Sequence, residues 1–409
     1  MLKTFKYRLY PTKKQETLLK QQLEELRWLW NTLLAERKVA WEERQEMVEY
    51  YDQKAELPVL KAEQRPGLKN IHSQVLQDVT LRMKHAMDAF FRRRKAGETP
   101  GYPRFKGKGR YDSLTYPQWE NGVRLTNTLK RITFSKVGDV KIMYHRPLEG
   151  TPKTACMRRT ATGKWFVSIA CEWEPTPLPP TGKEVGIDVG LKTFAACSDE
   201  QKIDTPHFFR MEEKELAKAQ RNHQIALDRH KATRQEVTQR MKRDHPESDE
   251  QTLWQLVCRD HQEHITWKKR QQRRKVVSRI HERSTWKRDD FTHQKSRAIV
   301  NQFDVIAIED LNISHMVHNH TLAKSIHDVA WGQFAELLHI KAEWAGRAFI
   351  AVNPAYTSQD CSGCGHRKTD LTLADRIYHC LECGLILDRD VNAALNILAR
   401  GRACLGLAS

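Results

Sequence analysis

No stretch of the 409 residues holds 18 uninterrupted apolar side chains, so no segment reads as a membrane-spanning helix. The opening MLKTFKYRLYPTKKQ has no apolar core of the secretory type, so a cytoplasmic chain without a signal peptide is expected. Internal repeats are absent. Cysteine is sparse and odd in number, and four of the nine form two tight pairs. That pattern argues against a disulfide scaffold and for a metal site in a reducing compartment. Acid is in short supply: 51 Asp+Glu stand against 69 Lys+Arg, a formal net charge of +18. With 29% charged and 39% hydrophobic residues, the composition is that of a soluble, folding chain, and the length suggests two or three domains.

The positive charge is concentrated. Residues 92–110 (RRRKAGETPGYPRFKGKGR) carry eight Lys/Arg and one Glu, and residues 264–288 (HITWKKRQQRRKVVSRIHERSTWKR) carry ten Lys/Arg and one Glu. Together they supply +16 of the +18. Aromatic residues stand among the cations, namely Tyr102, Phe105, Trp267 and Trp286. Cations that can hold phosphates beside rings that can stack suit a nucleic acid. The candidate contacts are Arg104 and Lys106 in the first stretch, and Lys268, Lys269, Arg270, Arg273, Arg274 and Lys275 in the second. The plainer alternative is a solvated helix face.

Periodicity orders the chain. Residues 2–10 read as a strand ending at Pro11. Thr12 and Gln15 form a capping box before Leu19, Leu23, Leu26, Trp30 and Leu33, which recur at helical spacing. A second helix is expected over 71–91, with breaks near Pro58 and Pro66 between the two. Short β-type runs follow at 123–125, 132–134, 140–143, 155–158 and 165–173, and a hairpin turn is expected at 160–163. They favour a small barrel closed by the N-terminal strand. EPTPLPPTG, residues 174–182, reads as a linker. Beyond it come a strand–turn–strand at GIDVGLKTFAAC and a long charged helical stretch over 210–300. A buried strand at 304–308, a helix over 328–346, a strand at 349–352 and a final helix over 391–400 complete an α/β layer pattern.

Cys361-x-x-Cys364 and Cys380-x-x-Cys383, 15 residues apart, are the strongest local signal. Each pair can grip one ion from a tight turn, and four thiolates close a tetrahedral Zn²⁺ shell, so the expected zinc is structural. Iron accepts the same ligands, but zinc is the usual occupant. Three acids stand at element ends: Asp188 between Gly186 and Gly190, Glu309 at the end of DVIAIE, and Asp390 before the last helix. Singly they read as a turn former, a surface acid and an N-cap. Jointly they would suit hard Mg²⁺ ions, two of which can activate water and stabilise a leaving oxygen in phosphodiester cleavage.

GIDVG at 186–190, IAIEDL at 306–311, the double CxxC and DRDVNAALNI resemble the TnpB (OrfB) family of transposon-encoded proteins, relatives of the type V CRISPR effectors. FKYRLYPTKKQ, FFRR, GYPRFK, KWFVSIACEWE, DDFTH, WGQF and AYTSQDCSGCG match as well, so the resemblance covers nearly the whole chain in family order. It implies an RNA-guided DNA endonuclease that binds a noncoding RNA from its transposon end, recognises a short motif beside the target and acts in the prokaryotic cytoplasm, as one chain per complex. Asp188, Glu309 and Asp390 fall at the family's catalytic positions. Asp390 is chosen over Asp388 because the family's acid stands two residues before the Asn, here Asn392.

The implied fold is multidomain α+β. A β-barrel wedge would comprise 1–12 and 101–177, and a helical recognition domain 13–100. An RNase H-like (RuvC-type) nuclease domain would comprise 181–356 and 388–409, with a zinc ribbon at 357–387. The rival readings are a catalytically silent RNA-guided regulator and a strand-transfer transposase. The stretch 245–264, rich in Gln, Trp and His, lengthens the segment between the first two acids beyond the family pattern.

Overall fold

The computed structural model describes residues 1–372 and 374–406. The chain divides into two compact units at Glu174/Pro175, inside the stretch expected to be a linker.

The first unit is built on a seven-stranded antiparallel sheet in the order β2-β6-β7-β1-β5-β4-β3. Strand β1 (Leu2–Tyr10) lies between β7 (Trp165–Glu172) and β5 (Gly138–Met143), with Phe5 opposite Ile169 and Tyr7 opposite Val167. Its period-2 pattern buries Phe5, Tyr7 and Leu9. The other strands are β2 (Ser113–Tyr116), β3 (Val123–Leu125), β4 (Arg131–Phe134) and β6 (Thr151–Arg159). β6 and β7 form the expected hairpin, closed by Thr160 and Lys164 with Gly163 at positive φ. Among the described residues no pairing joins β2 to β3, so the ladder is a sheet with two ends.

Between β1 and β2 the chain is helical. Helix α1 (Lys13–Arg44) starts on the capping box, with the Gln15 amide donating to Thr12 Oγ1 and the Thr12 amide to Gln15 Oε1. Short turns α2 (Tyr50–Ala55) and α3 (Leu57–Val59) lead through π and 3-10 turns to α4 (Ser73–Lys95). Pro58 and Pro66 each open one of these short turns, where a missing N–H costs nothing. Leu19, Leu26, Val75 and Met83 join Phe5, Tyr7 and Ile169 in one hydrophobic core. The expected wedge and recognition segments thus share a single interior.

The second unit carries a five-stranded sheet in the order β10-β9-β8-β11-β12. Strands β8 (Glu184–Val189), β11 (Val305–Glu309) and β12 (Ala348–Val352) are parallel, β9 (Thr193–Cys197) turns back antiparallel to β8, and β10 (Lys202–Asp204) pairs antiparallel to β9 at the edge. One face packs on Phe334, Leu338 and Ala342 of α10 (Trp331–Ala345) and on Ile299 and Val300 of α7 (His261–Gln302). The other face receives α11 (Arg389–Cys404), with Ala307, Val352 and Ile397 buried between them. A small hairpin of β13 (Ile377–His379) and β14 (Ile386–Asp388) precedes α11.

The helical stretch expected over 210–300 is present, and one other helical expectation needs correction. The stretch 210–300 is three helices, α5 (Phe208–Asp244), α6 (Glu250–Arg259) and α7, because Asp249 and Asp260 each cap a new start. The helix expected over 328–346 is broken at Ala330, which adopts left-handed backbone at φ 55° between α9 (His320–Val329) and α10. Asp328 does not start it: the residue lies within α9, and its carboxylate accepts the Phe209 amide at the head of α5. A four-residue turn, α8 (Ile313–Met316), follows β11.

Candidate functional site

Glu309 and Asp390 both come near Asp188 because of how α11 meets the sheet. Ile187 of β8 is paired with Ile308 of β11, and Gly186 with Ala307, so Asp188 and Glu309 occupy matching positions at the ends of adjacent parallel strands. Gly186 and Ala307 both face α11. A methyl on Gly186 would fall on the Ala394 carbonyl and 2.7 Å from the Leu398 amide, and one on Gly401 would lie 2.6 Å from Ala307 Cβ. Side chains two residues further along each strand keep the same face, so Asp188 and Glu309 both face α11, Asp188 beside Asp390 of its first turn and Glu309 beside Thr357 and Arg400. Glycine at 186 is therefore a requirement for close helix–sheet approach.

The electrostatics agree with this placement. Burial, and then the carboxylates of Glu309 and Asp390, push the Asp188 carboxyl up to about 8. Arg389 opposes the shift. Glu309 is also raised by burial, but the Thr357 hydroxyl, 2.6 Å from Oε1, and the charge of Arg400 pull it back. The negative charge of Glu309 helps to hold the proton on Asp188. Among the described residues nothing donates a hydrogen bond to Asp188. A half-buried carboxylate with like charges beside it and no donor is a group that gains most from a cation.

Asp388 and Asp390 have different duties. Asp388 is the N-cap of α11, accepting the amides of Asp390 (3.0 Å) and Val391 (3.3 Å), and it pairs with Lys202 at 2.5 Å. The cap role that Asp390 would have filled as an ordinary acid therefore belongs to Asp388. Asp390 is left to face Asp188, held by Nε and Nη2 of Arg389 at 3.3 and 3.1 Å.

A polar stripe on α11 secures the site to the cysteine-bearing segment, and the sequence reading missed it. Asn392, fully buried, donates to the Asp360 carbonyl and accepts the Ser362 amide. Asn396 donates to the carbonyls of Thr357 and Asp360, and Arg400 to those of Asn353 and Ala355 and to the Asp360 carboxylate. These are i, i+4 and i+8 on a helix whose other inward residues are Val391, Ala394 and Ile397, so the stripe was visible as polar residues at helical spacing. Thr357 carries no such signal.

The four cysteine sulfurs lie within 4.8 Å of one another, with Cys361–Cys383 and Cys364–Cys380 both at 3.6 Å. Four thiolates at about 2.3 Å from a tetrahedral ion would be spaced roughly 3.8 Å apart, so the cluster fits one. Two equivalent turns build it: the Gly365 amide donates to the Cys361 carbonyl and the Gly384 amide to that of Cys380, both glycines at positive φ. The Tyr378 ring is fully buried beside Cys361 and Cys380.

The cationic candidates divide. In the first unit the loop with Arg104 and Lys106 is fastened to α1. Asn31 exchanges two hydrogen bonds with the Lys106 backbone, Arg27 donates to the Lys106 carbonyl, and Trp30 Nε1 donates to the Arg104 carbonyl. Arg104 and Phe105 are thereby presented outward from a fixed backbone. In the second unit Lys268, Lys269, Arg270, Arg273, Arg274 and Lys275 lie on α7 and form no ion pair among the described residues. Arg283 and Lys287, from the same sequence cluster, are bound instead to Glu212 and Glu215 of α5.

Comparison with known proteins adds the family context. A helix-turn-helix domain model of the OrfB type matches 1–46, one described as "Probable transposase" matches 168–253, and a "Cas12f1-like, TNB domain" model matches 331–397. Residues 1–46 are a strand and one continuous helix here. A protein of Streptomyces pristinaespiralis named as an RNA-guided DNA endonuclease is 32% identical over 98% of this chain and 90% of its own length. The Escherichia coli (strain K12) protein named as RNA-guided DNA endonuclease InsQ is 30% identical over 99% and 93%. The CRISPR-associated endodeoxyribonuclease Cas12f1 of Sulfoacidibacillus thermotolerans is 29% identical over 31% of each chain.

Proposed function

Because this chain belongs to the TnpB (OrfB) family of RNA-guided DNA endonucleases, we propose that Asp188, Glu309 and Asp390 are its catalytic acids and that it cuts DNA selected by a bound transposon-end RNA. The placement of Asp188 beside both Glu309 and Asp390, at the ends of β8, β11 and the start of α11, carries the reading. The strand order, with β9 alone running against the other four strands, supports an RNase H-like (RuvC-type) domain spanning 181–356 and 388–409. Cys361, Cys364, Cys380 and Cys383 would hold structural zinc in a ribbon at 357–387. Residues 1–12 and 101–177 would form the wedge, on an open sheet in place of the closed barrel expected, and 13–100 the recognition helices.

The three carboxylates would hold two Mg²⁺ ions, which when bound supply Lewis-acid activation of water and charge stabilisation at the leaving 3′-oxygen. The chain itself arranges the rest. Thr357 fixes the orientation of Glu309, Asp388 relieves Asp390 of capping, and the α11 stripe holds the acids and the ribbon in one frame. Asp188 gives up its proton to the solvent when a cation replaces it. Arg104, Lys106 and the α7 cations Lys269 and Arg273 would contact phosphates, while guide–target pairing reads sequence.

The test is cleavage of a matched target in Mg²⁺ with and without the RNA that copurifies with the protein. RNA-dependent double-strand cutting supports the assignment. Strand-transfer products formed without RNA would establish a transposase, and RNA-dependent binding without cutting a silent regulator.

A further inference from the structure

The segment between the first two acids contains a groove that the nuclease reading leaves unused. Helices α5 and α7 run side by side, and between them lies an open cavity of about 510 Å³. Arg229 of α5 and Lys269 and Arg273 of α7 line it, and none of the three forms an ion pair among the described residues. No carboxylate lines it. Asn222 and Gln272 add two side-chain amides that make no hydrogen bond within the described protein, and Ile225, 66% exposed, also lines the groove.

The lining is a matched pair of helical stripes. Asn222, Ile225 and Arg229 are spaced i, i+3 and i+7 on α5, while Lys269, Arg273 and Val276 are spaced i, i+4 and i+7 on α7. At 100° per residue, Lys268, Arg274 and Lys275 fall on other faces of α7, roughly 100–140° away from Lys269. The eight-residue basic run is therefore not one surface. Only part of it faces the groove, and there it is joined by Arg229, which lies 40 residues earlier in the sequence.

We propose that this groove is an RNA docking site that takes the backbone of an A-form duplex, phosphates on Arg229, Lys269 and Arg273 and ribose 2′-hydroxyls on Asn222 and Gln272. Three unpaired cations without an acid match a polyanion. The two free amides can donate to and accept from a 2′-hydroxyl, the group that distinguishes RNA from DNA and that the wide A-form minor groove displays. The inference rests on the proposed function only in taking structured RNA as the partner.

Two full-length variants of equal charge test it: Arg229→Gln/Lys269→Gln/Arg273→Gln, and Lys268→Gln/Arg274→Gln/Lys275→Gln. The substituted residues are exposed, and matched melting curves check that both variants fold. The probes are a blunt RNA duplex and the DNA duplex of the same sequence, titrated over a range of salt. The groove variant should lose about tenfold or more in RNA affinity, and its salt slope should fall by about three, near one per phosphate contact. The other variant should stay within about threefold of the parent. Asn222→Ala/Gln272→Ala should reduce the preference for RNA over DNA and leave the slope unchanged. Equal losses in the two triple variants would overturn the site in favour of a diffuse field. So would a groove variant that loses DNA duplex binding as much as RNA binding. A parent protein that binds no RNA would instead defeat the functional reading, so the two failures are distinguishable.

Discussion

Asp188 concentrates the chemistry at the scale of single residues. Its folded-state pKa, about 8, stands above the ordinary carboxyl value, so ionising it costs stability once pH exceeds the unfolded value. That cost is absent near pH 4, grows as pH rises and levels off above about 8. In EDTA, Asp188→Asn should therefore melt above the parent at pH 8, by roughly 2–4 °C, a modest figure because water reaches the site. The gap should close as pH falls toward 4. Melting curves across that range check it, and a gap that widened at low pH would contradict the assignment of the shift to Asp188. Thr357 acts through Glu309 rather than on substrate. Thr357→Val should lower the cleavage rate by about 10- to 100-fold and raise the Mg²⁺ concentration needed for half-maximal rate. Thr357→Ser should restore both.

The elements explain why those residues meet. α11 lies on β8 and β11 at a distance only Gly186 and Gly401 permit, so Gly186→Ala should cost about 1–3 kcal/mol by overpacking. Chemical denaturation measures that cost, and cleavage should fall with it because Asp390 moves with the helix. The cysteine cluster should bind one zinc per chain. Cys361→Ser/Cys364→Ser should abolish zinc in elemental analysis and loosen the α11 N-terminus, read as faster amide exchange at 388–394. Unchanged zinc content would move the site elsewhere.

Much of this architecture was legible in the sequence. β1, the α1 capping box, the β6–β7 hairpin and the CxxC turns follow from local periodicity and turn chemistry, and the structure has each of them. The break at Ala330 was not legible, because no glycine or proline marks it and Asp328, the expected start, belongs to the preceding helix α9. Asp388 and Asp390 could be separated by family pattern alone. The physical reason, that Asp388 is both cap and Lys202 partner, needed three dimensions. The α11 stripe of Asn392, Asn396 and Arg400 was written at helical spacing, but its purpose lay in the carbonyls it meets.

For the whole molecule, the net charge of +18 resolves into surfaces with different duties. Arg283 and Lys287 spend their charge on the acids of α5, the loop at 104–106 is fastened by α1, and the 268–275 run points several ways around one helix. Counting cations along the sequence thus overstates what is available to a nucleic acid. The central claim is that Asp188, Glu309 and Asp390 form one metal-dependent cutting centre serving an RNA-selected target. Its most direct test is matched-target cleavage by the Asp188→Ala protein purified with its RNA. Cutting should be lost, by at least about a thousandfold, with RNA binding within about twofold of the parent. A variant complex that still cuts at the parental rate would contradict the claim.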